Sequence, residues 1–133
     1  MKAAKVLLDT NVLISLEKGL SLAKVIDPDD DVAVSVVTIG ELQLGVERSD
    51  DAHRRQRSAF VQRMMQHLPS IDYTLQVALV HAKIAATMSG KGLTSSRPDL
   101  MIAATAIATG RTLVTADEGF SVISGLKARR PMR

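Results

Sequence analysis

Val6-Leu7-Leu8 is the feature that most narrows what this chain can fold into. The run is short, continuous and apolar, and it ends abruptly at Asp9-Thr10-Asn11. A strand with one wet face alternates apolar and polar side chains. An unbroken apolar run therefore reads as a strand covered on both faces, as in a parallel sheet with helices above and below. Asp, Thr and Asn favour a turn and a helix cap. Val12–Lys18 then reads as a short helix stopped by Gly19.

The same grammar recurs along the chain. After the polar loop Asp27-Pro28-Asp29-Asp30-Asp31, Val32–Val37 is a second β-rich run. Thr38-Ile39-Gly40-Glu41 matches a capping box, in which Ser or Thr precedes Glu by three residues. The helix it opens carries Leu42, Leu44 and Val46. A charged helix spans Asp50 to His67, with Phe60, Val61, Met64, Met65 and Leu68 as its apolar stripe, and Pro69 ends it. Ile71–Tyr73 reads as a third, short strand, and Leu75–Met88 as a helix closed by Gly90-Lys91-Gly92.

Ser96-Arg97-Pro98-Asp99 starts the next helix, with Pro in the tolerated first turn and Asp near the positive helix end. Leu100–Thr109 is apolar all round, which predicts burial. Its alanines at 103, 104, 106 and 108 permit close backbone approach, and Gly110 ends it. Thr112–Thr115 is another strand, followed by Asp117-Glu118 at another strand-to-helix turn. The segment 126–133, with Lys127, Arg129, Arg130 and Arg133, reads as a basic tail, either a phosphate-contacting surface or a flexible end. Strands alternating with helices predict an α/β fold with a mainly parallel sheet. The 133 residues suit one domain over 1–133.

Composition removes several classes of function. With no cysteine, the chain has no disulfide, thiol nucleophile, zinc ribbon or iron–sulfur cluster. Phe60, Tyr73 and Phe120 are its only aromatic residues, too few for an RNA-stacking sheet. Seventeen Lys and Arg against fourteen acids give a net charge of +3, which permits a nucleic-acid partner without requiring one. Asp9 interrupts the first apolar run, so no signal peptide is read there. No apolar stretch approaches a membrane span, and a cytoplasmic protein is expected. Gly90-Lys91 is not a phosphate loop, because Ala85 and Gly92 occupy positions that need Gly and Ser or Thr. His53, His67 and His81 lack metal-ligand spacing, and no serine sits in a nucleophile elbow.

Four acids share one kind of address. Asp9 follows the first strand, Glu41 sits in the first turn of the helix after the second, Asp99 lies in the first turn of the buried helix and Asp117 follows the last clear strand. Ligands of open parallel sheets bind beyond the carboxyl ends of the strands. Acids gathered on that edge repel one another unless a cation neutralises them or some become protonated. All-oxygen ligands select hard ions such as Mg²⁺ or Mn²⁺. Each acid also has a structural role open to it: Glu41 can close the capping box, Asp99 can favour its helix dipole, Asp117 can cap a turn and Asp9 can be the N-cap of the first helix.

The local motifs carry a resemblance. Val6-Leu7-Leu8-Asp9-Thr10-Asn11-Val12-Leu13-Ile14 resembles the opening motif of PIN-domain nucleases. Thr38-Ile39-Gly40-Glu41-Leu42 is similar to the second motif, and Pro98-Asp99-Leu100-Met101-Ile102-Ala103-Ala104-Thr105-Ala106 to the third. Gly110 through Leu113-Val114-Thr115-Ala116-Asp117 and Phe120 is similar to the fourth. The four occur in family order across Val6–Phe120. By size, the chain looks most like the VapC-like ribonucleases, the toxins of type II toxin–antitoxin pairs.

The resemblance implies a three-layer α/β/α sandwich, Mg²⁺- or Mn²⁺-dependent endoribonuclease activity on RNA, a homodimer, and a small cognate antitoxin protein. It implies no membrane partner. It assigns Asp9 and Asp99 as the main metal ligands, with Glu41 and Asp117 completing the shell directly or through water. Thr10 and Thr115 are expected to hold the carboxylates by hydrogen bonds, or simply to cap strand ends. A metal of this kind lowers the pKa of water to make a nucleophile, and in-line attack would leave 5′-phosphate and 3′-hydroxyl ends. Arg54, Arg55 and Arg57 form either a phosphate-tracking surface or a solvated helix face. The alternatives are a PIN-family nuclease of RNA processing or structured DNA, and a non-catalytic basic RNA-binding module.

Overall fold

The computed structural model describes residues 3–132. A five-stranded parallel sheet of order β3-β2-β1-β4-β5 forms its centre. The strands are β1 (Lys5–Leu8), β2 (Asp31–Ser35), β3 (Ser70–Ile71), β4 (Thr112–Val114) and β5 (Ala128–Arg129). The helices are α1 (Thr10–Glu17), α2 (Val36–Glu47), α3 (Asp51–His67), α4 (Leu75–Gly90) and α5 (Arg97–Ala108), with 3₁₀ turns at Leu22–Lys24 and Glu118–Val122.

β1 is buried on both faces, as its unbroken apolar run predicts. Leu7 joins Ala33 and Leu113 under α4 and α5, against Val77, Ile84, Met88, Ile102 and Ala103. Val6 and Leu8 point the other way, with Val34 and Val114, onto Val12 and Leu13 of α1 and Phe60 of α3. Side-chain alternation along each strand thus feeds two helical layers. This is the expected three-layer α/β/α sandwich. The alanine face of α5 (Ala103, Ala104 and Ala106, all fully buried) lets that helix sit deep in the core.

Strand order fixes where a site can form. The chain runs outward from β1 through β2 to β3, then returns to the far side of β1 for β4 and β5. The reversal lies between β1 and β4, and crevices open beyond the carboxyl ends of strands at such a point. Asp9 and Thr115 are the residues that leave those two strands.

Four expectations need correction. The second helix starts at Val36, inside the apolar run read as strand, and its N-cap is Ser35, which accepts from the Val37 N–H at 3.0 Å. Thr38 is therefore a buried residue of the first turn, and no capping box forms there. The β-branched pair Val36-Val37 concealed the boundary, because tertiary packing overrode local propensity. Met65 is 52% exposed, since it lies at the margin of the arc that Phe60, Val61 and Leu68 define on α3. The basic segment 126–133 is not a free tail over its described part. Ala128–Arg129 adds a parallel strand to β4, and Arg129 donates to Val25 O at 3.0 Å and to Asp30 at 3.2 Å. Arg133 lies outside the described residues.

Smaller boundaries shift as well. Thr10 rather than Val12 begins α1, and Asp9 is its N-cap. Ser96 caps α5 by accepting from the Asp99 N–H at 3.2 Å. Gly110, at φ 66°, makes the left-handed turn that releases the chain into β4. Among the described residues no helix is long and apolar enough to cross a membrane.

Candidate active site

Asp9 is the centre of the arrangement. It is 2% exposed, and both carboxylate oxygens accept hydrogen bonds from neutral donors. Oδ1 accepts from the Thr10 N–H at 2.8 Å, and Oδ2 from Thr115 Oγ1 at 2.8 Å. No cation is among the groups that perturb it. Burial raises its pKa above the ordinary Asp value, the hydrogen bonds from Thr115 and Thr10 oppose that, and the Asp99 and Glu41 carboxylates raise it further. A buried, uncompensated carboxylate of this kind carries a standing electrostatic cost.

Two hydroxyls connect Asp9 to its neighbours. Thr115 Oγ1 donates to Asp9 and accepts from the Asp117 N–H at 3.0 Å, so one side chain fixes both strand-end acids. Thr10 Oγ1 donates to Glu41 Oε1 at 2.6 Å and stands 3.2 Å from Thr38 Oγ1. A hydroxyl has one proton. With that proton on Glu41, the second contact requires Thr38 to donate to Thr10, giving a directed chain from Thr38 through Thr10 to Glu41. Thr38 is the residue that the sequence reading missed, because its place in a capping-box pattern supplied a sufficient local explanation.

Asp99 stands in the first turn of α5 and is half-buried. Burial raises its pKa, the Ser96 hydroxyl opposes, and Asp117 adds to the rise. Asp117 is exposed and caps the following 3₁₀ turn, its Oδ1 accepting from the Gly119 N–H at 2.8 Å. Asp9 therefore feels Asp99 and Glu41, and Asp99 feels Asp117, so the four predicted acids form one electrostatic neighbourhood.

The predicted arginines are placed differently. Arg54 Nη2 donates to the carbonyls of Glu47 (3.3 Å) and Ser49 (3.0 Å), and Arg57 Nη1 donates to Ser49 Oγ at 2.8 Å. Both tie α3 to the C-terminal end of α2, a favourable place for a cation. Arg57 also lines a cleft with Glu41, Leu42 and Phe60. Arg55 is exposed on α3.

A family model described as "PIN domain" matches residues 6–126. The chain belongs to the PIN domain family. Two curated relatives come from Mycobacterium tuberculosis. Ribonuclease VapC8 is 37% identical over 102 residues, covering 75% of this chain and 88% of the relative. Ribonuclease VapC5 is 33% identical over 121 residues, covering 89% and 87%. Among solved structures, DNA-bound VapBC from Salmonella typhimurium superposes with a TM-score of 0.83 at 27% identity, covering 96% of this chain and 98% of that one.

PIN-domain nucleases of the VapC type depend in general on divalent metal ions. The donor set of this PIN domain fits such an ion in its chemistry. It is all oxygen, and its deepest member is an ionisable carboxylate with no positive partner. Glu41 is engaged by Thr10 and Asp117 by Gly119. Among the described residues no three acidic or histidine side chains stand close enough to hold one ion. Holding one ion through three of these acids therefore requires them to move closer together.

Proposed function

We propose that this PIN domain is an endoribonuclease, the toxin of a type II toxin–antitoxin pair, that hydrolyses RNA phosphodiester bonds with Mg²⁺ or Mn²⁺. The carrying observation is Asp9, buried with no Lys or Arg partner among the described residues and held between Thr10 and Thr115 at the switch point of the sheet. The relatives named ribonuclease VapC and the VapBC toxin–antitoxin structures support the reaction and the antitoxin partner. The protein is proposed to act in the cytoplasm as a homodimer, the whole chain serving as one nuclease domain.

In this reading Asp9 and Asp99 hold the cation, and Glu41 and Asp117 complete its surroundings directly or through water. A cation bound there supplies charge neutralisation for the phosphodiester and acidifies water. The protein's own contribution is positional. Thr115 fixes Asp9 and the backbone of Asp117, and Thr10 fixes Glu41. These hydrogen bonds limit how far the carboxylates have to move when an ion and RNA arrive. Of Arg54, Arg55 and Arg57, Arg55 is the best placed to track phosphates, because Arg54 and Arg57 are committed to the end of α2.

Induced expression separates the toxin reading from a processing role. Wild-type chain is expected to arrest growth of the host cell, and Asp99→Asn at equal protein level is expected not to. Normal growth with active wild-type enzyme in the same cells would reject the toxin assignment and favour a processing nuclease.

A further inference from the structure

The last strand places an unassigned cation beside the acids. β5 pairs with β4 in register Val114↔Arg129, and the Thr115 N–H donates to Arg129 O at 2.9 Å. Arg130 is the next residue. Neighbouring strands run roughly 5 Å apart, so its backbone lies about one strand spacing from Thr115, whose hydroxyl holds Asp9.

Side chains alternate across a strand, and the two arginines go opposite ways. Arg129 turns inward to Val25 O and to Asp30, whose side chain has no exposed surface. Arg130 turns outward and pairs with Glu118, the first residue of the 3₁₀ turn after Asp117. Thr115, Asp117, Glu118, Ser121 and Arg130 line one open cleft.

We infer that this cleft is a subsite for a backbone phosphate of RNA flanking the cleaved bond, with Arg130 as its ligand and Glu118 as an internal competitor for Arg130. The inference rests on the ribonuclease reading and extends it. RNA is a polyanion, and the edge it must approach carries Asp9, Asp99, Asp117 and Glu118. A cation that meets a flanking phosphate there offsets this repulsion, and a guanidinium matches phosphate geometry with paired N–H donors.

The partner that Arg130 now holds is easy to give up. The side chains of Arg130 and Glu118 are 61% and 81% exposed, and an ion pair so open to water contributes little. Arg129 has no such freedom, because leaving Asp30 would strand a buried carboxylate. Arg111 is likewise committed, bonded to Val6 O and to Asp31. Exchange of Glu118 for phosphate makes an opposite-sign prediction: removing Arg130 weakens RNA binding, whereas neutralising Glu118 strengthens it.

The test is equilibrium binding of a labelled single-stranded RNA to the full chain in EDTA, across a salt series. Arg130→Gln is expected to weaken binding several-fold and to flatten the log–log salt slope by roughly 0.7, the value for one phosphate contact on a single strand. Glu118→Gln is expected to tighten binding several-fold. Without Arg130, Glu118→Gln is expected to tighten binding much less than it does in wild type, because only bulk repulsion is then relieved. An unchanged slope in Arg130→Gln would overturn the subsite. So would equal tightening by Glu118→Gln with and without Arg130, which would mean bulk charge alone. Wild-type chain that binds no RNA in EDTA and cleaves none with Mn²⁺ would overturn the nuclease reading itself.

Discussion

Thr115 Oγ1 lies 2.8 Å from Asp9 Oδ2, a bond between residues 106 positions apart that closes the crevice between β1 and β4. The same oxygen accepts from the Asp117 N–H. Loss of this hydroxyl frees Asp9 Oδ2 and the Asp117 backbone N–H at once while removing no acid. Thr115→Val is expected to lower RNA cleavage about 10- to 100-fold, the range for groups that orient a metal's ligands. Thr115→Ser should keep most activity. Equal losses in both variants would point to packing of the Thr115 methyl group.

Glu41 depends on Thr10 and, through it, on Thr38. Thr10→Val is expected to weaken divalent-ion binding, read by titration calorimetry, and to lower cleavage. Thr38→Val should produce a smaller loss of the same kind, and Thr38→Ser should restore it. Ion affinity unchanged in all three would show that Glu41 needs neither hydroxyl.

The raised pKa values of Asp9 and Asp99 have a defined consequence for stability. The native chain keeps these protons to higher pH than the unfolded chain does. Between the unfolded value, near 4, and the raised native value, the native state binds more protons, so stability falls as pH rises. The contribution is fully present below the unfolded value and lost above the native one. In EDTA, melting temperature measured against pH should therefore decline less across this window in Asp9→Asn than in wild type. Millimolar Mn²⁺ at neutral pH should raise the wild-type melting temperature by mass action and leave Asp9→Asn unmoved. Parallel pH profiles would remove Asp9 as the uncompensated charge.

Asp30 behaves in the opposite sense. N–H donors from Asp27 and Ala4, with Arg129, hold its carboxyl below the usual range. Its contribution is present above about pH 4 and lost as pH falls through the lowered value. Asp30→Asn should melt earlier than wild type at neutral pH, with the gap closing in acid. Arg129→Met should cost roughly 1–3 kcal/mol, the range for leaving a buried polar group short of a partner. Chemical denaturation measures both, and a neutral Arg129→Met would mean that β5 holds through its backbone alone.

Much of this architecture was readable along the chain because local pattern and burial agree. Val6-Leu7-Leu8 is apolar throughout because both its faces are covered, and Leu100–Thr109 is apolar because α5 enters the core. Asp9 and Asp117 stand out in the sequence because they follow strand ends, whereas Glu41 and Asp99 lie inside helices and stand out only by motif. What escaped was set by contacts distant in sequence. Thr38 looks like a cap until α1 brings Thr10 beside it. Ala128–Arg129 has too few residues to announce a strand, and it forms one because β4 offers an open edge. Arg54 and Arg57 look like free charge until α2 ends against them.

Cleavage of single-stranded RNA by wild type and Asp99→Asn, each with Mn²⁺ and with EDTA, tests the central claim most directly. Asp99→Asn removes one carboxylate and keeps the Ser96 cap, which uses the residue's backbone N–H. Discrete products ending in 5′-phosphate, present only with wild type and Mn²⁺, are the predicted result. Equal cleavage by both proteins, or cleavage that persists in EDTA, would contradict it.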